Sequence, residues 1–567
     1  MDTQTKPANA KEDTPMKGNM DNNEETVTEE EEVIYPGHFK FGLIFVALCL
    51  SIFEVTLDET IIATAVPTIT NEFNSLKDVG WYGSAYLLTL CSFQLLFGKI
   101  YTIYSTKLTF LVALGILQVG SIICAAAPNS IALIFGRLIA GLGASGIWSG
   151  AITILSRSVP RTKIAPFNGL LGAVAGVSWI SAPLVSGGII NNPNLSWRWI
   201  FWINPIVACP TLLVIGAFVS LPPPPAAPWK QKLAKVDLLG FSVFLPSIIC
   251  LLLVLQWGGS EYGWTNARII VLFILFGLLL AGFVAIQIWK QDGGVLPPRI
   301  VTQRSIAFGI FFSLCCSGAS FILDYYLPIW FQAVKRSTAL ESSVDMLPHI
   351  LSSIIMTTAS GAVVPIIGYY VPMMIAATIL LSIGIGLITT FTPYTNSPKW
   401  IGYQVLTGSG LGLALQQTVL AAQTILKLDD IPIGIAVMTL AQALGGTIFL
   451  SVSEAVFTSK LSSGLSAAIP GLDKSSILNA GATDLRTLIP AKYLKTVLRV
   501  YNDAVIQTWY VALALACLSI LGVIGMEWVS VKPEQPTKES SRSESRSSEC
   551  ISEENEHTEK AKTDIEQ

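Results

Sequence analysis

Long apolar segments recur along almost the whole chain, and they restrict it to folds that a lipid bilayer can accommodate. A helix that crosses a bilayer needs about 20 predominantly apolar residues, and fourteen segments of this kind can be counted in the sequence. Their approximate ranges are 41–66, 80–103, 108–127, 130–154, 165–190, 199–221, 236–257, 268–290, 306–333, 345–368, 370–391, 400–424, 434–457 and 508–529. The sequence therefore predicts an all-α integral membrane protein with fourteen transmembrane helices.

Composition excludes the main classes of soluble protein. Of the 567 residues, 52% are hydrophobic and only 13% are charged, whereas soluble domains carry about 25% charged residues. The chain has 35 basic and 38 acidic residues; residues 1–39 and 531–567 together hold 9 and 20 of these, which leaves 26 and 18 for residues 40–530. The two acidic tails are predicted to be disordered, because they cannot bury enough apolar surface to fold. This charge distribution also argues against a nucleic-acid partner.

Cysteine and histidine usage gives no sign of a disulfide framework or a metal centre. All of the nine cysteines except Cys550 lie in apolar segments, where they are expected to be small buried side chains. The three histidines, His38, His349 and His557, are far apart in the sequence. A phosphate-binding loop is also missing, so ATP is not expected to supply energy. We predict neither a metal nor an organic cofactor.

Charge and proline placement predict the orientation and the domains. With the N-terminus in the cytosol, cytosolic loops and helix flanks hold thirteen Lys and Arg residues and short outer loops hold six, as the positive-inside rule requires. The first apolar segment is expected to be an uncleaved anchor, and both tails are expected to be cytosolic. The predicted domains are a disordered tail (1–39), a six-helix half (40–221), a linker that begins with four consecutive prolines (222–235), an inserted helix pair (236–290), a second six-helix half (291–530) with an outer loop (458–507), and a second tail (531–567).

The first predicted helix carries acidic side chains within apolar sequence. An ionisable group in the bilayer is costly unless it faces a cavity or a partner. Glu54 and Asp58 are four residues apart and so share a helix face. Desolvation favours the protonated carboxyl group, which makes these residues candidates for reversible proton binding. The alternative is that Glu59, and Glu54 with it, face only loops or partner helices.

The fourth predicted helix carries Arg137. A guanidinium group stays charged in accessible environments, and at a helix centre it costs about 2.5–3.5 kcal/mol on insertion scales. Asp58 is the leading candidate for a partner, and its protonation would release the pair. The alternatives are a purely structural ion pair or a side chain that snorkels to the interface.

Small residues mark the fifth predicted helix. Gly172 and Gly176 would let a neighbouring helix approach closely, and Pro183 would kink the helix ahead of Gly187 and Gly188. This pattern suits a surface on which two halves rock, although small-residue faces are common as simple packing motifs in membrane helices. The sequon at Asn194 is predicted to face outward, so close to the membrane that modification is not expected.

Polar side chains in the second half could orient a substrate in a cavity. The candidates are Asp324, Gln416, Gln417 and Gln442, and aromatic contacts could come from Trp330 and Trp179. The alternatives are interhelical hydrogen bonds for the glutamines and interfacial anchoring for Trp330.

Four segments together resemble a known family. They are Leu57-Asp58-Glu59-Thr60-Ile61-Ile62-Ala63-Thr64-Ala65-Val66-Pro67, Ser196-Trp197-Arg198-Trp199-Ile200-Phe201-Trp202-Ile203-Asn204, Leu327-Pro328-Ile329-Trp330-Phe331-Gln332-Ala333-Val334-Lys335 and Leu428-Asp429-Asp430-Ile431-Pro432-Ile433-Gly434. They are similar to segments of the fourteen-helix drug:proton antiporters of the major facilitator superfamily, and most closely of fungal efflux pumps for toxins and other secondary metabolites. The resemblance covers residues 40–530.

The resemblance implies proton-driven export of hydrophobic or amphipathic compounds by alternating access. It places Asp58 at the family's acidic position, Arg137 at the arginine linked to proton transfer, and residues 172–188 at the antiporter motif. Gly98 and Lys107 align with the loop motif, but Thr102 stands at its acidic position, so the usual gating salt bridge is not expected. The expected partners are a small-molecule substrate and the bilayer, the expected state is a monomer, and the expected location is the plasma or vacuolar membrane.

Two alternatives to export remain open at this level. A proton-coupled importer, such as a fungal siderophore carrier, can also have fourteen helices, although the fifth-helix motif favours export. A non-transporting receptor with a transporter fold is the other. An enzyme is not expected, because no catalytic constellation is present.

Overall fold

The computed structural model describes residues 36–75, 78–190, 192–221, 228–259, 262–468 and 493–532. Within these ranges, fourteen helices are long and apolar enough to cross a membrane, which confirms the predicted fold class. They are α1 (His38–Phe73), α2 (Val79–Ile103), α3 (Thr106–Ala125), α4 (Ser130–Ser158), α5 (Arg161–Ile190), α6 (Trp199–Phe218), α7 (Leu238–Trp257), α8 (Ala267–Lys290), α9 (Arg304–Trp330), α10 (Leu347–Ile367), α11 (Val371–Ile388), α12 (Ser397–Ile425), α13 (Ile431–Ala468) and α14 (Leu494–Gly525). Short helical segments lie between them at Trp229–Ala234, Gln291–Gly293, Pro298–Val301, Phe331–Lys335 and Ala339–Asp345.

The two ends of the described chain lie on the same side of the helix bundle, because the number of crossings is even. We call this side the terminal side and the other the opposite side. The predicted disordered tails fall almost entirely outside the described residues.

Helix boundaries follow local chemistry. The side chain of Asn129 accepts a hydrogen bond from the Ala132 amide at 2.9 Å at the start of α4, and Asp237 accepts one from the Gly240 amide at 2.9 Å at the start of α7. Such caps satisfy amides that have no partner inside the helix. Between α10 and α11, Gly368 has φ +88°, a left-handed conformation that a glycine adopts without strain. The break between the tenth and eleventh helices is therefore a sharp one.

The structure corrects the prediction of an outer loop at 458–507. Helix α13 continues to Ala468 and α14 begins at Leu494, so much of that loop is helical. The charged residues in this stretch lower its hydropathy, but an apolar stripe at helical spacing is buried against the rest of the molecule. Its members are Val497, Tyr501, Ala504 and Val505.

The helices form two groups of six with an inserted pair. Helices α1–α6 pack mainly on one another, as do α9–α14, and the two groups meet along α2 with α13 and along α5 with α10. Small residues allow the closest approaches: the Gly120 position of α3 lies against the backbone of Ala140 in α4.

The inserted pair α7–α8 packs on the line where α2 meets α13. Phe241 of α7 lies 5.2 Å from Phe93 of α2 between ring centroids, and α7 shares a buried apolar cluster with α13. Helix α8 is the outermost element, and its Leu278 is 67% exposed in the protein alone. Since this face is apolar, it is the face that acyl chains would cover.

Asp237 fixes the terminal-side end of the inserted pair. Its carboxylate accepts hydrogen bonds from Lys290 at 2.7 Å, from the Val295 amide at 3.0 Å and from Gln287 at 3.1 Å. Burial alone would raise the pKa of Asp237, but these donors and the Gly240 amide hold it below its ordinary value. The carboxylate therefore ties the start of α7 to the end of α8.

Substitution of Gly120 by valine is expected to destabilise the first group of helices. A Cβ at this position would lie 2.6 Å from the Ala140 Cα, and overpacking of this kind costs about 1–3 kcal/mol. Thermal unfolding of the purified protein, followed by size-exclusion chromatography, measures the effect. The matched control is Gly115→Val on the same helix, where a Cβ has no described neighbour within 4 Å. Equal loss of stability in both variants would contradict this packing.

Candidate functional site

Asp58 of α1 and Arg137 of α4 form a buried ion pair. The Arg137 Nη1 atom lies 2.7 Å from Asp58 Oδ2, and the two side chains are 1% and 0% exposed. Asn204 of α6 donates to the other carboxylate oxygen at 2.7 Å. The same Asn204 amide is 2.9 Å from the Ser121 hydroxyl of α3. Four helices of the first group therefore converge on one charge pair.

The guanidinium group has further contacts that compensate for its burial. Its Nε donates to the Tyr82 carbonyl of α2 at 3.0 Å, and Nη1 also donates to the Asp58 carbonyl at 3.1 Å. Its Cζ lies 4.4 Å from the centroid of the Tyr86 ring, an arrangement that favours a cation. The Nη2 atom has no hydrogen-bond partner among the described residues. Removal of Asp58 would leave this charge without its main partner.

The spacing of Glu54 and Asp58 places them on one helix face, but the Glu54 carboxylate contacts a different partner. The Gln118 side chain of α3 donates to Glu54 Oε1, while Oε2 has no partner among the described residues. Glu54 is 1% exposed. The structure thus brings together Asp58 and Arg137, and it directs Glu54 to a separate polar contact; the proton-coupling roles of all three stay predictions.

A cavity of about 170 Å³ lies between the two groups of helices. Its wall combines amides, hydroxyls, aromatic rings and aliphatic side chains, and Glu59 is the only ionisable residue among those that line it. Its polar and aromatic residues include Gln94, Gln416, Gln442, Trp148, Trp179 and Phe321. The volume is below the roughly 300–1,000 Å³ of typical ligand pockets, so this conformation is a narrow one.

Three of the predicted substrate residues line this cavity, and three do not. Gln416, Gln442 and Trp179 are in the wall. Trp330, Gln417 and Asp324 lie outside the cavity wall in this conformation, and the substrate-binding roles of all six residues stay predictions. Their positions could not be assigned because the rotation of each helix about its axis is not visible in a list of polar residues.

Trp330 and Gln417 make their contacts within the second group of helices. Trp330 is fully buried, donates from its indole nitrogen to Asn502 at 2.8 Å, and packs 4.8 Å from Phe391 between ring centroids. Gln417 donates to Ser360 at 3.2 Å within the second group. Both residues therefore contribute to the core of that group.

Asp324 faces a buried histidine instead of the cavity. Its carboxylate lies 3.4 Å from His349 Nε2 of α10, and the other ring nitrogen of His349 is 2.9 Å from the Thr407 hydroxyl. This contact joins α9, α10 and α12.

Glu59 is a cavity residue that the sequence analysis does not propose for the substrate site. One alternative there has Glu59 facing only loops or partner helices, but the residue lies in the cavity wall beside Thr56. Adjacent residues of a helix point about 100° apart, so the neighbouring Asp58 can be enclosed by the first group while Glu59 faces the cavity. Only the direction in which α1 is turned separates their environments, and the sequence does not specify it.

The two groups of helices are held together on the terminal side. Asn168 of α5 donates to Gln423 of α12 at 2.5 Å, and Gln423 donates to Ser156 of α4 at 2.6 Å. A Cβ at Gly98 would lie 3.2 Å from the Pro432 carbonyl of α13. Gly98 of the loop motif thus fits directly against the second group, whereas Lys107 makes no hydrogen bond or ion pair with the described residues.

The loop motif lacks its usual acidic residue, and charged contacts on the terminal side are made by residues outside that motif. Arg299 binds Asp430, at the start of α13, with two hydrogen bonds of 2.6 and 2.8 Å. Lys99 of α2 donates to the Asp292 carbonyl at 3.1 Å, and Asp292 also pairs with Arg299. A chain of contacts therefore runs from α2 to α13 on this side.

The glycines of α5 divide into two sets. A Cβ at Gly172 would lie 2.7 Å from Thr357 Cγ2 of α10, and Gly176 fits against Ile354 of the same helix. Gly187 and Gly188, beyond Pro183, would accept a Cβ with no described atom within 4 Å. The two groups are therefore in contact near the terminal side and in the middle, and no described residue packs against Gly187 and Gly188 toward the opposite side. Asn194 lies exposed in the loop that follows.

The sequence is similar to characterised families over most of its length. A sequence model described as the Major Facilitator Superfamily matches residues 48–450. The chain is 51% identical over 508 residues to the "MFS efflux transporter inpD" of Emericella nidulans, covering 89% of this chain and 94% of that protein. It is 48% identical over 510 residues to the "MFS-type efflux pump MFS1" of Trichophyton rubrum (89% and 95% covered) and 46% identical over 494 residues to the "Efflux pump roqT" of Penicillium rubens (87% and 91% covered).

Solved structures share the fold at low sequence identity. The proton:xylose symporter XylE aligns with a TM-score of 0.56 at 14% identity, covering 87% of this chain and 98% of that one. The human organic anion transporter MFSD10 aligns with a TM-score of 0.51 at 12% identity, covering 83% and 99%. At this identity the likeness concerns the arrangement of the helices alone.

Two tryptophans are expected to differ sharply when they are truncated. Trp330→Ala removes a fully buried ring and its hydrogen bond to Asn502, so we expect a loss of about 3–5 kcal/mol of stability. Trp179→Ala removes a ring that partly faces the cavity, and we expect a much smaller loss. Thermal unfolding of the purified variants compares them directly. Similar stabilities would mean that Trp330 is not a core residue.

Proposed function

The chain belongs to the major facilitator superfamily, and on this premise we propose that it exports amphipathic small molecules across a membrane in exchange for protons. The export direction is supported by relatives at 46–51% identity that are named efflux transporters or pumps. The observation that carries the proton coupling is the buried ion pair of Asp58 and Arg137, held by Asn204. An ion pair enclosed within lipid marks proton relays and similar functional sites.

Alternating access is the transport cycle that we infer. In the conformation described, polar contacts such as Asn168 with Gln423 hold the two groups of helices together on the terminal side. The cycle requires these contacts to break while the groups approach each other on the opposite side. The interface suits such a change, because its closest approaches are at glycines and several of its hydrogen bonds join uncharged side chains.

The coupling scheme depends on the charge of Asp58. Protonation of this carboxyl group would remove the negative charge that faces Arg137 and weaken the contacts of α1 with α4 and α6. Helix α1 also carries Glu59 into the cavity, so a shift of α1 reaches the substrate site through one short helical segment. A proton moves the equilibrium between two states only if it binds one of them more tightly, and the buried pair supplies that difference.

The orientation that we propose follows from the distribution of basic residues. The terminal side, with its thirteen predicted Lys and Arg residues, would face the cytosol, and the opposite side would face the exterior. We propose the plasma membrane as the location, with export from the cytosol; a vacuolar membrane would give sequestration by the same cycle. The Ser- and Glu-rich tails would then both be cytosolic.

Asp58→Asn is expected to abolish proton-driven export. The variant keeps the shape of the side chain and one oxygen that can accept from Arg137 or Asn204, but an amide group that donates replaces the second acceptor, and the side chain cannot take up a proton. Substrate accumulation in inside-out vesicles with an imposed pH gradient should fall to the level of empty vesicles. Exchange of labelled for unlabelled substrate without a gradient should continue, because it needs no net proton movement.

The matched control is Asp503→Asn, since Asp503 is an exposed residue of α14. It should accumulate substrate as the parent protein does. Full gradient-driven accumulation by Asp58→Asn, with normal amounts of protein in the membrane, would exclude Asp58 as the coupling residue.

Gly169→Val is expected to stop transport by preventing closure on the terminal side. A Cβ at Gly169 would lie 2.9 Å from the Thr357 carbonyl and 3.2 Å from the Gly361 Cα. A penalty of about 1–3 kcal/mol on the closed state corresponds to a roughly 5–150-fold change in its population. Vesicle export assays measure the loss. Gly277→Val on α8 is the control, because a Cβ there has no described neighbour within 4 Å; unchanged export by Gly169→Val would refute the role of this contact.

A further inference from the structure

The cavity between the two groups of helices has a single acidic residue and no basic one. Among the residues that line it, Glu59 is the only Asp, Glu, Lys, Arg or His. The nearby Arg137 is engaged by the Asp58 carboxylate at 2.7 Å and is fully buried. An anionic compound in this cavity would therefore find no cation to bind, whereas a cationic compound would find a carboxylate.

The carboxylate of Glu59 is available to a ligand. It makes no hydrogen bond or ion pair with any of the residues that the structure describes. By contrast, the Gln94 amide donates to Thr439 at 2.7 Å, and the Gln442 amide donates to the Leu415 carbonyl at 3.1 Å. Glu59 is thus the ionisable cavity group whose hydrogen-bonding capacity is left unused by the described residues, and a carboxylate in a low-dielectric site gains most from a charged donor.

The rest of the wall suits an aromatic or aliphatic body joined to a cation. Trp148, Trp179 and Phe321 line the same cavity as Glu59. Aromatic rings bind apolar surface and also attract cations through their faces. Gln416, also in the wall, supplies an amide that can accept or donate toward a polar group of the ligand.

We propose that Glu59 is the recognition residue for a protonated amine, and that the compounds exported by this protein include amphipathic amines with an aromatic or aliphatic body. In this assignment the ammonium group donates to the Glu59 carboxylate, and the body packs against the tryptophans. Asp58 keeps its separate position inside the first group of helices, so the residue that binds substrate and the residue that carries the proton are neighbours in sequence with different tasks. The inference rests on the proposed function, because it takes this cavity as the transport site.

The test compares three probes with one ring system and different charge. They are 1-naphthylmethylamine, its N-acetyl derivative and 1-naphthylacetate, which are cationic, neutral and anionic at pH 7. Equilibrium binding to the purified full-length protein in detergent is measured by microscale thermophoresis. We expect the amine to bind most tightly. We also expect Glu59→Gln to weaken amine binding by about tenfold or more relative to the N-acetyl probe, which is the loss of one charged hydrogen bond.

Two further variants keep the result interpretable. Glu59→Asp retains the charge and should recover part of the preference for the amine, while Gln416→Leu should affect the three probes similarly. Thermal unfolding of each variant confirms that the protein is folded. Equal binding of the three probes by the parent protein, or an equal loss for all three in Glu59→Gln, would overturn the assignment; the second outcome would instead indicate a general role in the cavity.

The binding test of Glu59 can succeed or fail independently of the export test of Asp58. Binding needs neither a proton gradient nor transport, so Glu59 can lose its assignment while gradient-driven export dependent on Asp58 persists. Conversely, a preference for the amine that depends on Glu59 can hold in a protein that fails to couple export to protons.

Discussion

The pairing of one carboxylate with one guanidinium group inside the first six helices is the interaction on which the rest of the structure depends. Each charge would be costly in lipid by itself, and the cost is offset only because both are hydrogen-bonded on several sides. Asn204 from α6, the Tyr82 carbonyl from α2 and the ring of Tyr86 complete the surroundings. These contacts fix the rotation of α1, α2, α4 and α6 relative to one another. They also determine which side of α1 remains to face the cavity.

A second constraint concerns the interface between the halves, which has to be specific without being permanent. The contacts along α5 and α10 use Gly169, Gly172 and Gly361, where backbones approach closely and little side-chain surface is lost on separation. Hydrogen bonds such as Gln423 with Ser156 add direction at modest energy. The ion pair of Arg157 with Asp429 crosses the same interface at 3.5 Å, and the Asp429 side chain is 91% exposed, so solvent can compensate for its loss. Each of these contacts can therefore form and break within a transport cycle.

The sequence predicted the fold, the family and the helix number well because apolar length is a direct physical requirement of the bilayer. It was less successful where a helix combines burial with charge, as in residues 494–507, whose apolar stripe is hidden among lysine, arginine and aspartate. In the site, the pairing of Asp58 with Arg137 could be proposed from electrostatics alone. The orientations of Glu59, Asp324 and Trp330 could not, because each depends on how its helix is turned about its own axis. That rotation is set by packing against helices distant in sequence, which no local pattern contains.

The inserted pair gives the molecule two unequal flanks. Helices α7 and α8 cover the line where α2 meets α13, whereas the corresponding line between α5 and α10 has no such additional helices among the described residues. An apolar compound dissolved in one leaflet that approaches the first flank meets α7 and α8, and behind them α2 and α13, before it reaches the interior. On the other flank, a single layer separates it from the interior. A lipid-dissolved molecule therefore meets less protein on the flank of α5 and α10. The inserted pair makes lateral access from the membrane unequal on the two sides of the molecule.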